Sequence, residues 1–129
     1  MQSGPFRQFV EKRRTWYKSV GRVFCPCLNE YVIFNSKGFR HLIYNGLGVA
    51  RARKESIGRL RILPLAIPTI RKAITFAEFR ELYSSKEAKW IKSWELQEIV
   101  GKDKVKISII LRKIGDGKIA FYSIWEDKK

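Results

Sequence analysis

The sequence predicts an α+β domain in which N-terminal helices pack on one face of a roughly four-stranded antiparallel β-sheet. Two observations lead to this fold class. Apolar residues recur at helical spacing near the N-terminus, whereas strand-like runs alternate with turn residues towards the C-terminus. The chain has 129 residues, 45% of them hydrophobic, which fits one folded domain. We therefore expect a single domain over 1–129, made of an N-terminal helix and connector (1–27), a helical and loop part (28–75) and an antiparallel meander (76–129).

Residues 4–21 are predicted to form an amphipathic helix. Ser3 can cap its N-terminus, Pro5 suits the first turn, and Gly21 can end it. Its apolar face carries Phe6, Phe9, Val10, Trp16, Tyr17 and Val20. Its basic face carries Arg7, Lys12, Arg13, Arg14 and Lys18.

The apolar run 31–34 predicts a strand or extended segment, and a turn follows it. Ser36 can then cap a short helix over 39–45, which Gly46 would end. In this assignment His41 and the arginine before it lie close to the helix N-terminus.

The next segments are less regular. Residues 47–61 are basic and predicted to form a loop, and 62–73 can be helical only in pieces because Pro64 and Pro68 interrupt it. The following residues fit either a helix start or a strand, and we assign a strand to 78–83.

Three further strand-like runs cover 90–100, 104–114 and 118–125. Asp116-Gly117, between the last two, is typical of a two-residue type I′ hairpin turn, which requires positive φ at both central residues. Such a turn sets Ile110 opposite Ser123 and Leu111 opposite Tyr122.

Alternation of side chains then divides the meander into two faces. The predicted core face carries Trp94, Leu96, Val100, Val105, Ile107, Ile109, Leu111, Ala120, Tyr122 and Ile124. The predicted open face carries Glu95, Gln97, Ile99, Lys106, Ser108, Ile110, Arg112, Phe121, Ser123 and Trp125. Polar groups beside aromatic rings on the open face are suited to binding single-stranded RNA. The alternative is an ordinary sheet with one face in solvent, which shows the same alternation of polar and apolar residues. A register slip of one residue would exchange the two faces.

Charge is the outlying property of the chain. Lys and Arg number 27 and Asp and Glu only 12, which leaves a formal net charge of +15. Self-repulsion of this size destabilises a compact state unless a polyanion offsets it. RNA or DNA is therefore the expected partner.

The only cysteines, Cys25 and Cys27, flank a proline. Two cysteines so close are poorly placed to bridge each other, and a zinc site would need further ligands from the single His41 and scattered carboxylates. No apolar run approaches the ~20 residues that span a bilayer, and the N-terminus lacks the apolar stretch of a secretory signal. We expect reduced thiols, a cytoplasmic location, no metal, no cofactor and no membrane partner.

His41 is the only histidine and the only side chain whose unperturbed pKa lies near neutrality. Near a helix N-terminus and flanked by Arg40 and Arg51, its pKa should be lowered, which favours the neutral base. A lone histidine is also compatible with a purely structural role.

Three stretches together resemble the barnase–EndoU–colicin–RelE (BECR) superfamily of ribonucleases, in particular its phage-associated branches. They are Tyr31–Phe34 leading into Gly38-Phe39-Arg40-His41-Leu42, then Arg59-Leu60-Arg61-Ile62-Leu63-Pro64, and the closing strands Val105–Leu111 and Ala120–Ser123. The resemblance implies helices packed on a four-stranded antiparallel sheet. It also implies a metal-independent endoribonuclease, toxin-like or phage-related, that forms a cyclic phosphate through attack of the ribose 2′-hydroxyl.

The resemblance further implies site residues. His41 would act as base or acid, Arg112 would stabilise the phosphate, helped by Lys106 or Arg40, and Ser123 would hold a phosphate oxygen. The second proton-transfer group would be Glu95, with Glu55 as another candidate, or Tyr122 if the register differs. Expected RNA contacts are Arg40, Arg51, Arg53, Lys54, Arg59, Lys106, Ser108, Phe121 and Trp125.

The expected substrate is tRNA, mRNA or rRNA, and an acidic antitoxin or immunity protein could cover the basic face. A non-catalytic RNA- or DNA-binding protein is the alternative, because the same charges and rings would serve binding alone.

Overall fold

The computed structural model describes residues 4–45 and 47–127. The helices are α1 (Pro5–Val20), α2 (Ser36–Ile43), α3 (Arg53–Ile62) and α4 (Ala66–Lys72), with a 3₁₀ turn at Leu63–Leu65. The strands are β1 (Arg22–Cys25), β2 (Glu30–Ile33), β3 (Glu78–Ser84), β4 (Lys89–Val100), β5 (Val105–Ile114) and β6 (Ala120–Glu126). Within these ranges no helix is long and apolar enough to cross a membrane.

The α+β class is confirmed, but the sheet has six strands rather than roughly four. Its order is β1-β2-β6-β5-β4-β3. Strands β3 to β6 form the expected antiparallel meander, and β2 joins it in parallel through Ile33 and Ala120. The additional strand β1 pairs with β2 in a hairpin; Cys25 ends β1, and Pro26 and Cys27 begin the turn. The four residues of β1 were predicted to be connector because so short a run carries little periodicity.

The first helix is confirmed. It ends at Gly21, whose φ of 71° is accessible to glycine at low cost. The predicted cap, Ser3, lies outside the described residues, and the N-cap position is occupied by Gly4.

The second helix begins earlier than predicted. Asn35, not Ser36, is its cap, and the Asn35 side chain accepts a hydrogen bond from the Gly38 N–H at 3.2 Å. The helix ends at Ile43, so His41 lies in its last turn and the prediction of a position near the N-terminus is wrong. Gly46, the predicted stop, lies outside the described residues.

The predicted loop over 47–61 is also wrong, because most of it forms α3. Glu55 pairs with Arg51 and Arg59, four residues away on either side, and this spacing supports a helix. Arg13 of α1 donates to the Leu60 carbonyl at 2.9 Å, which ties α3 to the first helix. The interrupted helix predicted for 62–73 is confirmed by the 3₁₀ turn and α4.

The register of the meander agrees with prediction until one point in the last hairpin. Ser108, Ile109 and Ile110 face Trp125, Ile124 and Ser123, as expected. A β-bulge then shifts the pairing by one residue, so that Leu111 faces Phe121.

The turn of this hairpin explains the shift. It is closed by Gly117 N–H donating to the Ile114 carbonyl at 2.9 Å, and Gly115 takes the positive φ of 55°. The predicted type I′ turn centred on Asp116 and Gly117 is therefore wrong. The shifted register turns Phe121 into the core, where it is 1% exposed, and leaves Tyr122 half-buried at the open face.

The helices cover one face of the sheet, and the core lies between the two layers. Its largest fully buried side chains include Leu42 and Leu60 from the helices and Leu96, Ile109 and Phe121 from the sheet. Helix α2 packs unusually closely on β6 at Gly38. A Cβ added there would meet the Phe121 carbonyl oxygen and lie 2.6 Å from the Tyr17 hydroxyl oxygen.

We predict that Gly38→Ala lowers the free energy of unfolding by about 1–3 kcal/mol, because two rigid neighbours occupy the space of the new methyl group. The matched control is Gly58→Ala in α3, where nothing lies within 4 Å of the added carbon. Removing a helical glycine there should raise stability by about 0.5–1 kcal/mol. Urea unfolding would measure both, and equal stability of the two variants would contradict the close approach.

Candidate active site

The open face of the meander holds a cavity of about 590 Å³. Strand register brings its polar residues together: Arg112 on β5 faces Ser93 on β4, and Ser93 faces Arg80 on β3. In the adjacent row, Glu95 lies between Ile110 and Glu78. The cavity is lined by Glu78, Arg80, Leu82, Tyr83, Ser84, Ile91, Ser93, Glu95, Ile110, Arg112, Tyr122 and Trp125.

His41 and Arg112 meet at the ring of Tyr122. The imidazole and phenol centroids are 4.1 Å apart, and the Arg112 guanidinium carbon lies 4.3 Å from the same phenol centroid. The bulge in β6 makes this possible because it turns Tyr122 out of the core. The structure therefore brings together the predicted base and the predicted phosphate ligand, with a tyrosine ring contacting both.

His41 is held in its neutral form. Burial, followed by the positive charges of Arg51, Arg59 and Arg112, lowers its pKa from 6.5 to about 4. The predicted direction is confirmed, although the largest cause is burial and no helix N-terminus is involved. The Nδ1 atom is enclosed and has no hydrogen-bond partner among the described residues.

Two arginines and one carboxylate anchor this histidine. Arg51 donates through Nε to the His41 carbonyl at 3.0 Å and through Nη1 to Glu55 at 2.6 Å. Arg59 donates to the same Glu55 oxygen at 3.2 Å, and to Ser123 Oγ at 2.9 Å. Glu55 thus links the end of α2 to strand β6. Both arginines were expected to contact RNA, but the structure directs these donors to protein acceptors.

Ser123 lies opposite Ile110 as predicted, yet it is only 4% exposed and its hydroxyl is engaged by Arg59. The predicted exposure of Ser108 and Phe121 is wrong. Ser108 is fully buried, with its hydroxyl oxygen 3.4 Å from the Asp127 carboxylate. Phe121 points into the core because the bulge shifts the register of β6. Neither side chain presents a surface to a ligand.

The remaining predicted contacts lie in three separate places. Arg40, Arg53 and Lys54 are exposed on α2 and α3, where Arg40 stacks on Tyr44. Lys106 is exposed on β5, 3.6 Å from the Asp127 carboxylate. Trp125 is half-buried and lines the cavity.

Glu95 lies on β4, on the other side of β5 from Tyr122. It projects into the cavity from β4, and its Oε2 accepts a hydrogen bond from the Gln97 amide at 2.7 Å. Glu78, directly opposite on β3, is paired with Arg80 at 2.7 Å. Of the two glutamates considered for proton transfer, Glu55 is bound by arginines and Glu95 faces the cavity.

Sequence reasoning missed two contributors to the site, Arg80 and Ser93 in the row of Arg112, and it considered Tyr122 only for a different register. The bulge had no local signal beyond the glycines of the turn. Arg80 and Ser93 could have been found by extending the alternation of faces to β3 and β4, since their pairing is regular.

Among the described residues, no group of three or more His, Cys, Asp or Glu side chains is placed to hold a metal ion. No family model, curated protein or solved structure matches the chain. The function must therefore be inferred from the site itself.

We predict that the His41 ring titrates near pH 4 in the folded protein. Because the chain has one histidine, its imidazole proton resonances follow this titration by NMR without assignment. Arg112→Gln should raise the pKa by removing a nearby positive charge. Arg53→Gln, an exposed arginine stacked on Phe6, should leave it unchanged. A wild-type pKa near 6.5 would contradict the buried, cationic environment.

The same shift predicts that stability falls as the solution is acidified. Between pH 6.5 and about 4 the unfolded chain binds a proton at His41 and the folded chain does not, so the free energy of unfolding rises with pH across this window. His41→Gln should flatten that part of the profile. Urea unfolding at several pH values would measure it, and an equal slope in wild type and variant would disprove the linkage.

Proposed function

We propose that the protein is a metal-independent endoribonuclease of the toxin-like or phage-related type. The observation that carries the proposal is the contact of His41 and Arg112 with one tyrosine ring, beside a cavity that contains Glu95. A neutral imidazole, a fixed cation and a carboxyl group are the parts required to cleave RNA through its own 2′-hydroxyl. The net charge of +15 supports a polyanionic substrate.

In the first half of the reaction, His41 accepts the proton of a ribose 2′-hydroxyl. The freed 2′-oxygen attacks the adjacent phosphorus, and the bond from phosphorus to the 5′-oxygen breaks. The products are a 2′,3′-cyclic phosphate and a strand with a 5′-hydroxyl. The low pKa of His41 keeps the imidazole unprotonated at neutral pH, which is the form that a base requires.

Arg112 is the proposed ligand of the phosphate oxygens that gain charge during attack. It lies on a central strand and is held by its contact with Tyr122, so little rearrangement is needed when the charge develops. A guanidinium presents several donors in a fixed plane, which suits two oxygens of one phosphate.

Glu95 is the proposed donor of a proton to the leaving 5′-oxygen. Strand β4 carries Glu95 and β6 carries Tyr122, with β5 and Arg112 between them. Neighbouring strands are about 4.8 Å apart and His41 contacts Tyr122, so in this proposal the two proton-transfer groups act from opposite sides of a phosphate bound at Arg112. In-line displacement requires base and acid on opposite sides of the phosphorus.

We predict that the protein cleaves single-stranded RNA in EDTA and leaves cyclic phosphate ends. His41→Gln should lower the rate by about 10²–10⁴-fold because the base is lost. Arg112→Gln should lower it by about 10²–10³-fold because the developing charge loses its ligand. Mass spectrometry of the products and gel assays of the rates would measure these effects.

Three controls make this test specific. Arg71→Gln removes an equal charge from an exposed position of α4 and should leave the rate within about twofold, as surface changes usually do. A substrate with 2′-deoxyribose at the cut position should resist cleavage, and thermal unfolding should show that each variant is folded. Full activity of folded His41→Gln and Arg112→Gln would rule out these assignments.

Binding of RNA or DNA without cleavage is the second candidate function. It is favoured by the burial of Ser123, whose hydroxyl is bonded to Arg59 and not directed at a ligand. This alternative predicts salt-sensitive binding, no cyclic phosphate under any condition, and full binding by His41→Gln.

A further inference from the structure

The open face continues beyond the meander onto the N-terminal hairpin. Arg22 pairs with Ile33, Ile33 is level with Ala120, and Ala120 faces Arg112. Residues paired in this way project from the same side of a sheet. One row therefore crosses all six strands in the order Arg22, Ile33, Ala120, Arg112, Ser93 and Arg80.

The hairpin end of this row carries two exposed aromatic rings. Phe24 and Tyr31 face each other across β1 and β2, with ring centroids 5.3 Å apart, and they are 40% and 49% exposed. Arg22 lies over Tyr31 with its guanidinium carbon 4.1 Å from the ring centroid. Their neighbours Val23 and Val32 point to the opposite face and are buried.

Cationic groups also lie along the middle of the row. A second cavity of about 290 Å³ is lined by the row members Ala120 and Arg112, together with Lys37, Lys118 and Tyr122, among others. Lys37 and Lys118 are exposed. Arg112 and Tyr122 also line the larger cavity, so the two cavities adjoin at these residues.

We infer that the row is a binding track for single-stranded RNA, with Phe24 and Tyr31 as a base-stacking site remote from the cleavage site. The strand would run across the β-strands, its phosphates near Lys37, Lys118 and Arg112. The inference rests on the proposed function for its position relative to cleavage, but its binding test does not require cleavage.

The length and chemistry of the row support a single strand. Five spacings between six strands amount to about 24 Å, which suits the lower end of the ~4–16 nucleotides covered by single-strand-binding domains. Exposed rings beside cations are the combination that binds unpaired bases, since every base has a face to stack. In a duplex those faces are already stacked and unavailable.

The chain also contains a matched control for the aromatic pair. Tyr83 and Trp90 form a second exposed pair, with centroids 5.5 Å apart and each ring 55% exposed. Trp90 and Trp94 are four residues apart on β4 and therefore project from the same side of the sheet; because Trp94 packs against the core, Trp90 faces away from the row. Tyr83 also borders the 590 Å³ cavity, so the control substitution is made at Trp90 alone. If such aromatic pairs served only to stabilise their strands, substitution in either pair would change the affinity for RNA to the same extent.

The test is fluorescence anisotropy with labelled 2′-O-methyl RNA, which cannot be cleaved by 2′-hydroxyl attack, in lengths from a dinucleotide to about 12 nucleotides. For wild type we expect affinity to rise with length until the track is filled. Tyr31→Leu and Phe24→Leu should each lose about tenfold affinity for the longest oligomer and none for the dinucleotide. Trp90→Leu should bind within about twofold of wild type. Circular dichroism would show that each variant is folded.

A charge variant keeps the test decisive if an aromatic variant does not fold. Lys118→Gln retains both rings and should reduce the dependence of log affinity on log salt by about 0.7 for long oligomers, because one phosphate contact is lost. Equal binding by Tyr31→Leu and Trp90→Leu, or stronger binding of duplex than of single strand, would overturn the track.

The outcomes also separate this inference from the proposed function. If wild type cuts no RNA but Tyr31→Leu still weakens binding to long oligomers, the nuclease assignment fails and the track stands. If RNA is cut and the length dependence of binding is the same in Tyr31→Leu and wild type, the track fails and the nuclease assignment stands.

Discussion

The close approach of α2 to β6 at Gly38 is the constraint on which the candidate site depends. The absence of a side chain lets the helix backbone lie against the Phe121 carbonyl, and Asn35 fixes where the helix begins. One turn later, this places His41 over Tyr122. The bulge in β6 provides the other half of the arrangement, because it buries Phe121 and frees Tyr122 to contact both the imidazole and Arg112.

Burial and the charges around His41 determine the protonation state of the site. In a chain with a net charge of +15, burial and then three arginines lower the pKa of one imidazole, while Glu55 holds two of the arginines in place. Repulsion between these like charges destabilises the free protein, and a bound polyanion offsets that repulsion. The same arrangement therefore keeps a base neutral and attracts the substrate on which that base would act.

The proposed site and the proposed track follow from the same sheet. Strand pairing brings Arg112 into one row with Arg22 at one end and Arg80 at the other, although these residues are far apart in the sequence. RNA would be cleaved beside the bulge, near the middle of the row, and the bound strand would extend to both sides of that point. A nuclease that contacts several nucleotides along a rigid sheet can hold the strand while one phosphate reacts.

The sequence by itself determined the α+β class, the first helix, the order of the meander and the pairing of Ile110 with Ser123, because these follow from local periodicity and turn residues. It also determined the excess of basic residues and the direction of the His41 pKa shift, although burial, the largest cause of that shift, was decided by the tertiary structure. Only the tertiary structure decided the bulge, the outward turn of Tyr122, the helical state of α3 and the place of β1 in the sheet. Each of these features depends on contacts between segments that are distant in the sequence, such as Gly38 with Phe121 or Arg13 with Leu60. The free energy of such packing outweighs local conformational preference, and a short run of residues carries no sign of it.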